Sequence, residues 1–443
     1  MKLFNVTLPP LITLKPLSWQ SMLPGLCLIM GYLNVMLILQ QPTTINIGQG
    51  WDGYYYYRMA VNADIDSIYY AFKLRYGLPW LAGVFPTGDI FLNFKLINLG
   101  CALLYAFCCY IILLRCSANM HPAVPVIGWC LLCMSNLAPI PSLLWYPIQT
   151  DIVCSLLALI FLMMVITGRM HLVAVALLFF VGTTVRENFA EFLLYGLLRL
   201  QLSCDGNKNV AQNLCALLEK NRAILAVMVT GFLASIAGFY SIFLYTGAIP
   251  FGNRLWDFQH IVGNYMNHPV HFLAVVINSV SAILFFVLAG VWLRAPVKYS
   301  AHIFGAPFAK PIILLLSVVA LTGGTNPERY WYWVMPFLVL CILPGINSLL
   351  VHKRYLVLAV CMLWALFIQR ALVPIDTAGI HKSCDFVAIL AGQSNWLGHW
   401  ADQCSLAAQK NLLRLAAAMT VVILLLAAAP RLRDTRIVRS YLP

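Results

Sequence analysis

The 443-residue chain is 62% hydrophobic and only 10% charged, whereas soluble globular proteins carry about 25% charged residues. Apolar runs of roughly 20 residues, each long enough to cross a bilayer, recur along it, so the composition excludes a soluble globular protein and indicates a polytopic α-helical membrane protein. The net charge of +13 does not indicate nucleic-acid binding, because the basic residues stand in short connections between apolar runs.

The hydropathy pattern predicts about twelve membrane-embedded helices in a single domain, residues 1–443, without a separate soluble domain. The segments are 18–40, 91–114, 122–140, 149–168, 170–185, 188–202, 222–246, 270–293, 309–323, 329–350, 355–373 and 411–429. The first reads as a retained helix, because no small-residue cleavage site follows it. The fifth and sixth are short for full spans and suggest a helical hairpin or a partly re-entrant pair.

The basic residues predict the orientation. Placing the N-terminus in the cytoplasm puts 17 of the 28 Lys and Arg residues on the cytoplasmic side, as the positive-inside rule requires. It leaves 12 of the 15 acidic residues on the outer side. The two longest polar stretches, a first outer loop at 41–90 and a loop before the last helix at 374–410, also lie there. We therefore expect both termini in the cytoplasm and the functional site at the outer membrane–water boundary.

Most of the fourteen cysteines lie inside apolar runs, where they are expected to be small buried hydrophobes rather than metal ligands. Cys130 and Cys133 form a Cys-x-x-Cys, but no second pair completes a zinc site. Cys384 and Cys404 instead fall in the polar stretch 374–410. Whether they form a disulfide or remain two free thiols is left open by the sequence. An oxidising compartment would favour the disulfide.

The segment 51–58, WDGYYYYR, sets an aspartate among aromatic residues just after the first apolar run. An acidic residue is costly there unless it faces water or does chemistry. Asp52 is therefore the candidate general base, which takes a proton from an acceptor hydroxyl as the acceptor attacks a sugar carbon. Trp51, Tyr55 and Arg58 are candidates to contact the substrate, with an ordinary interfacial aromatic belt as the alternative.

Two further groups of charged residues are candidate phosphate ligands on the same side. Lys73 and Arg75 adjoin an apolar, proline-containing stretch and suit a phosphate at the membrane surface, with interfacial snorkelling as the alternative. Arg186, between the fifth and sixth segments, is a candidate ligand that Glu187 holds in place. Glu187 and Glu191, at i and i+4, are expected to share one helix face. The alternative is a structural Arg–Glu pair that closes a hairpin.

The third group begins the tenth segment, after the Gly-rich turn at 323–325. Arg329 is a candidate phosphate ligand, Glu328 is placed to orient it, and Tyr330 is a candidate substrate contact. An interfacial anchor of arginine and aromatic residues is the alternative. Asp151, which opens the fourth segment, is a weaker functional candidate, with a helix N-cap as the alternative. The remaining weaker candidates are Arg254, Asp257, His260 and His268.

These motifs resemble the GT-C superfamily of membrane glycosyltransferases, which carry an acidic residue in the first outer loop. Residues 51–55, WDGYY, resemble the Trp-Asp-x-x-Tyr/His pattern of GPI mannosyltransferases and the Tyr-Asp-Gly-x-Tyr-Tyr-x-Arg pattern of many bacterial members. Residues 75–79, RYGLP, resemble the Arg-x-x-x-Pro stretch that follows in those bacterial sequences. Arg329-Tyr330 with Pro336 resembles their late Arg-Tyr-x-x-Pro motif at a wider spacing.

The chain departs from the family pattern in two respects. The C-terminal soluble domain of some relatives has no counterpart. An acidic pair of the Asp-x-Asp kind is not evident either, because Asp64 and Asp66 come later than the family site.

The resemblance implies an all-α, GT-C-like enzyme of the bacterial inner membrane with its active site facing the periplasm. It implies inverting transfer of a hexosyl or pentosyl group from a polyprenyl-phosphate carrier, such as undecaprenyl phosphate, to a cell-envelope glycan or lipid acceptor. Asp52 would be the base, and Arg186, Arg329, Arg75 and Lys73 would hold the donor phosphate. No metal and no cofactor besides the donor is implied.

Two alternatives stay open. One is an O-antigen polymerase or ligase, which does not depend on an early acidic base. The other is a lipid-linked oligosaccharide flippase or another transporter, which would line a central cavity with charges at mid-membrane. The predicted clustering of the charges at one face disfavours transport.

Overall fold

A computed structural model describes residues 5–7, 18–62, 65–135, 138–199, 210–248, 259, 262–263, 265–292, 327–369 and 406–439. Helices dominate this part of the chain. Five helical stretches within it are long and apolar enough to cross a membrane: Trp19–Leu39, Ile90–Cys116, Leu218–Thr246, Val334–Val351 and Gln409–Leu426. The prediction of a helical protein with several membrane-spanning segments is confirmed at this level.

The first helix, α1 (Trp19–Leu39), follows a short strand, β1 (Asn5–Thr7). Ser18 caps α1 by accepting a hydrogen bond from the amide of Ser21, which satisfies one of the free donors of the first turn. Gly25 lets α1 cross closely over the helix Ile90–Cys116, since a Cβ at this position would lie 2.1 Å from Cδ1 of Tyr110.

The stretch 41–90, predicted as a loop, is largely helical. It contains α2 (Trp51–Ala60), a 3₁₀ turn (Ile65–Ser67), α3 (Tyr70–Lys73) and α4 (Gly77–Val84). None of these pieces is long enough to cross a bilayer. α2 packs against α4, and Gly83 makes the approach possible, because a Cβ there would lie 2.5 Å from the carbonyl oxygen of Ala60.

The long helix α5 (Ile90–Cys116) starts at Asp89, whose carboxylate accepts from the amides of Phe91 and Leu92. The predicted segment 122–140 is not one helix. It forms α6 (Val124–Cys133) and α7 (Pro139–Trp145). The prolines of α7 explain the break, because proline lacks an amide donor and disfavours a helical conformation in the residue before it.

The middle of the chain contains the single β-ladder among the described residues. α8 (Asp151–Thr167) ends at Gly168 in a left-handed conformation. Strand β2 (Arg169–His171) follows and pairs antiparallel with β1. The expectation of an all-α protein therefore needs this small exception. α9 (Leu172–Val185) then leads into a 3₁₀ helix (Glu187–Arg199), which occupies the predicted sixth segment.

The remaining helices are α10 (Val210–Thr246), α11 (Pro269–Trp292), α12 (Pro327–Val351), α13 (Tyr355–Ile368) and α14 (Leu406–Arg439). α10 and α14 extend well beyond the predicted segments 222–246 and 411–429. A hydropathy pattern predicts only the apolar, membrane-spanning part of such helices. The helices themselves continue into the polar residues on either side. The predicted segment 309–323 and residues 374–405 of the last predicted outer loop lie outside the described residues.

Helix packing places the candidate site at the end of a bundle. α5 packs against α1, α6, α7 and α8, and the 3₁₀ helix packs against α8, α9 and α10. α4 reaches across to α9, because Gly77 lies against Thr184. A Cβ on Gly77 would come within 2.4 Å of Oγ1 of Thr184. The short helices of 51–84 are thereby docked on the ends of α8 and α9.

Candidate functional site

Asp52 lies in the first turn of α2, directly after the connection from α1, and its side chain is half-buried. A carboxylate at this position is favoured by the positive end of the helix dipole. Tyr56 follows one helical turn later on the same face and is buried. The first membrane helix thus leads directly to an acidic residue whose helix is anchored by a buried tyrosine.

The start of α2 is docked on the connection between α7 and α8. The amide of Gly53 donates to the hydroxyl of Tyr146. A Cβ on Gly53 would lie 2.9 Å from both Cβ and the carbonyl oxygen of Ile148. Gly50 precedes the helix with a φ of 75°, a conformation that favours glycine. No motif in the sequence points to Tyr146 as a partner of this turn.

Arg75 and Glu187 form a buried two-point ion pair. Nε of Arg75 donates to Oε2 of Glu187 at 2.9 Å, and Nη2 donates to Oε1 at 3.0 Å. Nη1 of the same guanidinium donates to the hydroxyl of Tyr56 at 3.1 Å. The two charged side chains are 9% and 4% exposed. One guanidinium therefore joins α2, the α3–α4 turn and the start of the 3₁₀ helix.

Arg186 and Asp151 form a second ion pair. Nη2 of Arg186 lies 3.0 Å from Oδ1 of Asp151, and Nη1 donates to Oγ1 of Thr150 at 3.3 Å. Arg186 is 2% exposed. This pair joins the start of α8 to the residue that follows α9.

The partner of Glu187 and the start of α8 both differ from the sequence prediction. Glu187 was expected to hold Arg186, yet both of its oxygens accept from Arg75. Arg186 ends α9 in an extended conformation, φ −153° and ψ 122°, in which successive side chains point to opposite faces. Asp151 is the first residue of α8 rather than its N-cap, which is Thr150.

The expectation that Glu187 and Glu191 share a helix face is wrong. They lie in the 3₁₀ helix, which has three residues per turn, so side chains at i and i+4 are rotated by about 120°.

The tyrosines of α2 pack on neighbouring aromatic rings. Tyr55 stacks on Phe72, with ring centroids 4.6 Å apart and planes 10° apart. The guanidinium of Arg58 lies 5.6 Å from the ring centroid of Tyr54, and its Nη2 donates to Oγ of Ser67 at 2.9 Å. These contacts fix α2 against α3 and leave the predicted roles of Tyr55 and Arg58 in substrate binding untested.

Lys73 is the most accessible of the predicted phosphate ligands whose side chains are described. It is half-buried, and Nζ donates to the backbone oxygen of Asp66 at 3.0 Å. Arg75 and Arg186 are instead buried against carboxylates. For Glu328, Arg329 and Tyr330 the structure describes the backbone alone, in the first turn of α12. The side chain of Trp51 is likewise outside the described part.

Comparison with known proteins gives no match to a family model, a curated protein or a solved structure. The function therefore has to be argued from the site alone. Within the described residues, no group of three or more His, Cys, Asp or Glu side chains is arranged to hold a metal ion. Cys130 and Cys133 are free thiols. Cys384, Cys404 and the weaker candidates Arg254, Asp257 and His260 lie outside the described residues, as does Asp64.

The structure brings together residues from three predicted outer connections. Arg75 pairs with Glu187, Arg186 pairs with Asp151, and the first turn of α2, which contains Asp52, docks on Tyr146 and Ile148. The grouping of Tyr56 with Arg75 escaped the sequence analysis, although its position one turn after Asp52 was a usable signal.

Proposed function

We propose that the protein is a GT-C-type membrane glycosyltransferase that moves a sugar from a polyprenyl-phosphate carrier to a cell-envelope glycan or lipid. In this proposal about twelve helices lie in the bacterial inner membrane, both termini are cytoplasmic and the site faces the periplasm. The observation that supports it best is the placement of Asp52, which is half-buried at the start of the helix after α1. It lies one helical turn before Tyr56, the tyrosine that accepts a hydrogen bond from the buried Arg75–Glu187 ion pair.

The proposed reaction is a single displacement. Asp52 takes the proton of the acceptor hydroxyl as the hydroxyl oxygen bonds to the anomeric carbon of the donor sugar. The bond between this carbon and the phosphate oxygen breaks, and the polyprenyl phosphate leaves with the electron pair. Attack from the opposite face inverts the anomeric configuration.

Negative charge accumulates on the departing phosphate, so cations near it stabilise the transition state. Lys73 is proposed for this role because the residue is only half-buried and its ammonium group is carried by a flexible side chain. Arg329, in the first turn of α12, and Arg186, at the end of α9, are proposed as further phosphate ligands. Trp51, Tyr55, Arg58, Glu328 and Tyr330 are proposed to contact the sugar or the acceptor.

The test is a transfer assay on the full-length protein reconstituted in liposomes with a panel of undecaprenyl-phosphate sugars and envelope lipid acceptors. The Asp52→Asn variant is expected to lose roughly 10²–10⁴-fold in turnover, the usual contribution of general base catalysis. The matched control is Asp66→Asn, because Asp66 is an exposed acid in the neighbouring 3₁₀ turn. Full activity of Asp52→Asn at normal expression would favour a polymerase or ligase and overturn the proposal.

A transporter gives a different result in the same liposomes. It would carry a labelled lipid-linked sugar across the bilayer without forming a new glycosidic bond. Translocation with no transfer, in the wild type and in Asp52→Asn alike, would replace the glycosyltransferase proposal with a flippase.

A further inference from the structure

Arg75 was predicted to bind phosphate, but its surroundings suit another role. All three guanidinium nitrogens donate to protein groups, two to Glu187 and one to the hydroxyl of Tyr56. The planar fork of arginine matches a carboxylate in this bidentate geometry. A phosphate could reach it only by displacing Glu187, which would leave a carboxylate buried without its partner.

Through its hydrogen bond to Tyr56, Arg75 restrains the position of α2. Tyr56 is 1% exposed, and its ring also packs edge-on against Phe72, with centroids 5.8 Å apart. The first turn of α2 is held at a separate point, where Gly53 packs tightly on Ile148 and its amide donates to the hydroxyl of Tyr146. Asp52 directly precedes Gly53 and lies one helical turn before Tyr56, on the same face of α2. A rotation of α2 that broke the Tyr56 contact would displace the carboxylate of Asp52.

We propose that Arg75 is a positioning residue: paired with Glu187 at the start of the 3₁₀ helix, it holds Tyr56 and thereby sets the orientation of α2 and of the Asp52 carboxylate. This inference rests on the proposed function for its catalytic consequence, although the positioning of α2 can be measured without it. A displacement of about 1 Å at a reacting group costs up to about 100-fold in rate, so the effect is expected in turnover rather than in donor binding.

The first arm of the test uses Tyr56→Phe, which keeps the ring and removes the hydroxyl that Arg75 contacts. We expect kcat to fall about 10-fold or more with an unchanged KM for the donor. Arg75→Lys keeps the positive charge and loses the planar guanidinium that contacts Glu187 and Tyr56 together. It is expected to lower kcat in the same way, with an unchanged KM for the donor. The matched control is Tyr76→Phe, which removes the hydroxyl that donates to Oγ of Ser241 at 3.0 Å and is expected to keep both constants.

The second arm separates positioning from phosphate binding with undecaprenyl phosphate as the probe. A positioning role predicts unchanged binding of this probe to Arg75→Lys and Tyr56→Phe. The inference is overturned if Arg75→Lys weakens binding of the probe by the same factor as it lowers turnover, while Tyr56→Phe changes neither binding nor turnover. Arg75 would then be a phosphate ligand.

The third arm does not depend on catalysis. Hydrogen exchange of the α2 amides is expected to accelerate in Tyr56→Phe and Arg75→Lys relative to the wild type and Tyr76→Phe. If the wild-type protein transfers no sugar, the proposed function fails, and this arm alone decides whether Arg75 holds α2. Unchanged exchange in both variants would overturn the inference whatever the activity.

Discussion

Arg75 and Glu187 are 112 positions apart in the chain and meet through two hydrogen bonds of 2.9 and 3.0 Å in a buried setting. The pair closes the short helices after α1 onto the junction of α9 and the 3₁₀ helix. An ion pair of this kind is held by its geometry, because each charge has lost its water and depends on the other.

Removing one residue of the Arg75–Glu187 pair should therefore lower the stability of the fold. Glu187→Leu leaves the guanidinium of Arg75 buried without its carboxylate, and we expect the free energy of unfolding to fall by about 3–5 kcal/mol. Denaturant unfolding of the purified protein in detergent micelles measures the loss. Asp66→Asn, at an exposed acid, should change stability by less than about 0.5 kcal/mol. Equal stability of the two variants would contradict the buried pair.

Removing both partners should cost less than removing one. In Arg75→Met with Glu187→Leu, no charge is buried, and apolar side chains of similar volume fill the space. We expect the double variant to be more stable than either single variant by about 1–3 kcal/mol, so that its loss is far smaller than the sum of the two single losses. A double variant whose loss equals the sum of the single losses would show that the two residues act independently.

The approach of α4 to α9 makes a prediction about Gly77. A Cβ there would lie 2.4 Å from Oγ1 and 3.0 Å from the carbonyl carbon of Thr184, so Gly77→Ala forces the backbone apart. We expect a loss of about 1–3 kcal/mol in the free energy of unfolding. The control is Gly100→Ala in α5, where a Cβ would meet nothing within 4 Å. That variant should keep or slightly raise stability, because alanine favours helix.

Much of the helical framework was predictable, because a bilayer-spanning helix must be long and apolar. The segment 91–114 agrees with Ile90–Cys116 to within two residues at either end. The helices within 41–90 were missed, because such short helices gain their stability from packing rather than from local sequence. The break in 122–140 carried a readable signal in Pro139 and Pro141 that the hydropathy reading passed over.

The sequence predicted which residues belong to the candidate site, but not which of them form ion pairs with each other. Asp52, Arg75, Arg186 and Glu187 were singled out because charged residues near apolar segments are rare. Their pairing depends on how the ends of α2, α8 and α9 meet, and one sequence contains no record of contacts over such separations. The adjacent positions of Arg186 and Glu187 predict an ion pair between them. The extended backbone at Arg186 instead directs their side chains to opposite faces.

The β-ladder supplies a test of the register near the N-terminus. Thr7 is the direct partner of Arg169, whereas His171 pairs with Asn5. Opposed Cα atoms in an antiparallel pair lie about 4.5–5.5 Å apart, within the range that a disulfide bridges. We expect Thr7→Cys with Arg169→Cys to form a disulfide under mild oxidation, mapped by mass spectrometry to separate it from the native thiols.

The matched control is Thr7→Cys with His171→Cys, which lies two residues out of register on the same face of the strand. It should cross-link far less, because diagonal positions are about 7–8 Å apart. Comparable cross-linking of the two pairs would contradict the ladder. Selective cross-linking of Thr7→Cys with Arg169→Cys places the N-terminal strand and the α8–α9 connection on one side of the membrane. The proposed orientation requires this arrangement, because it assigns both to the cytoplasm.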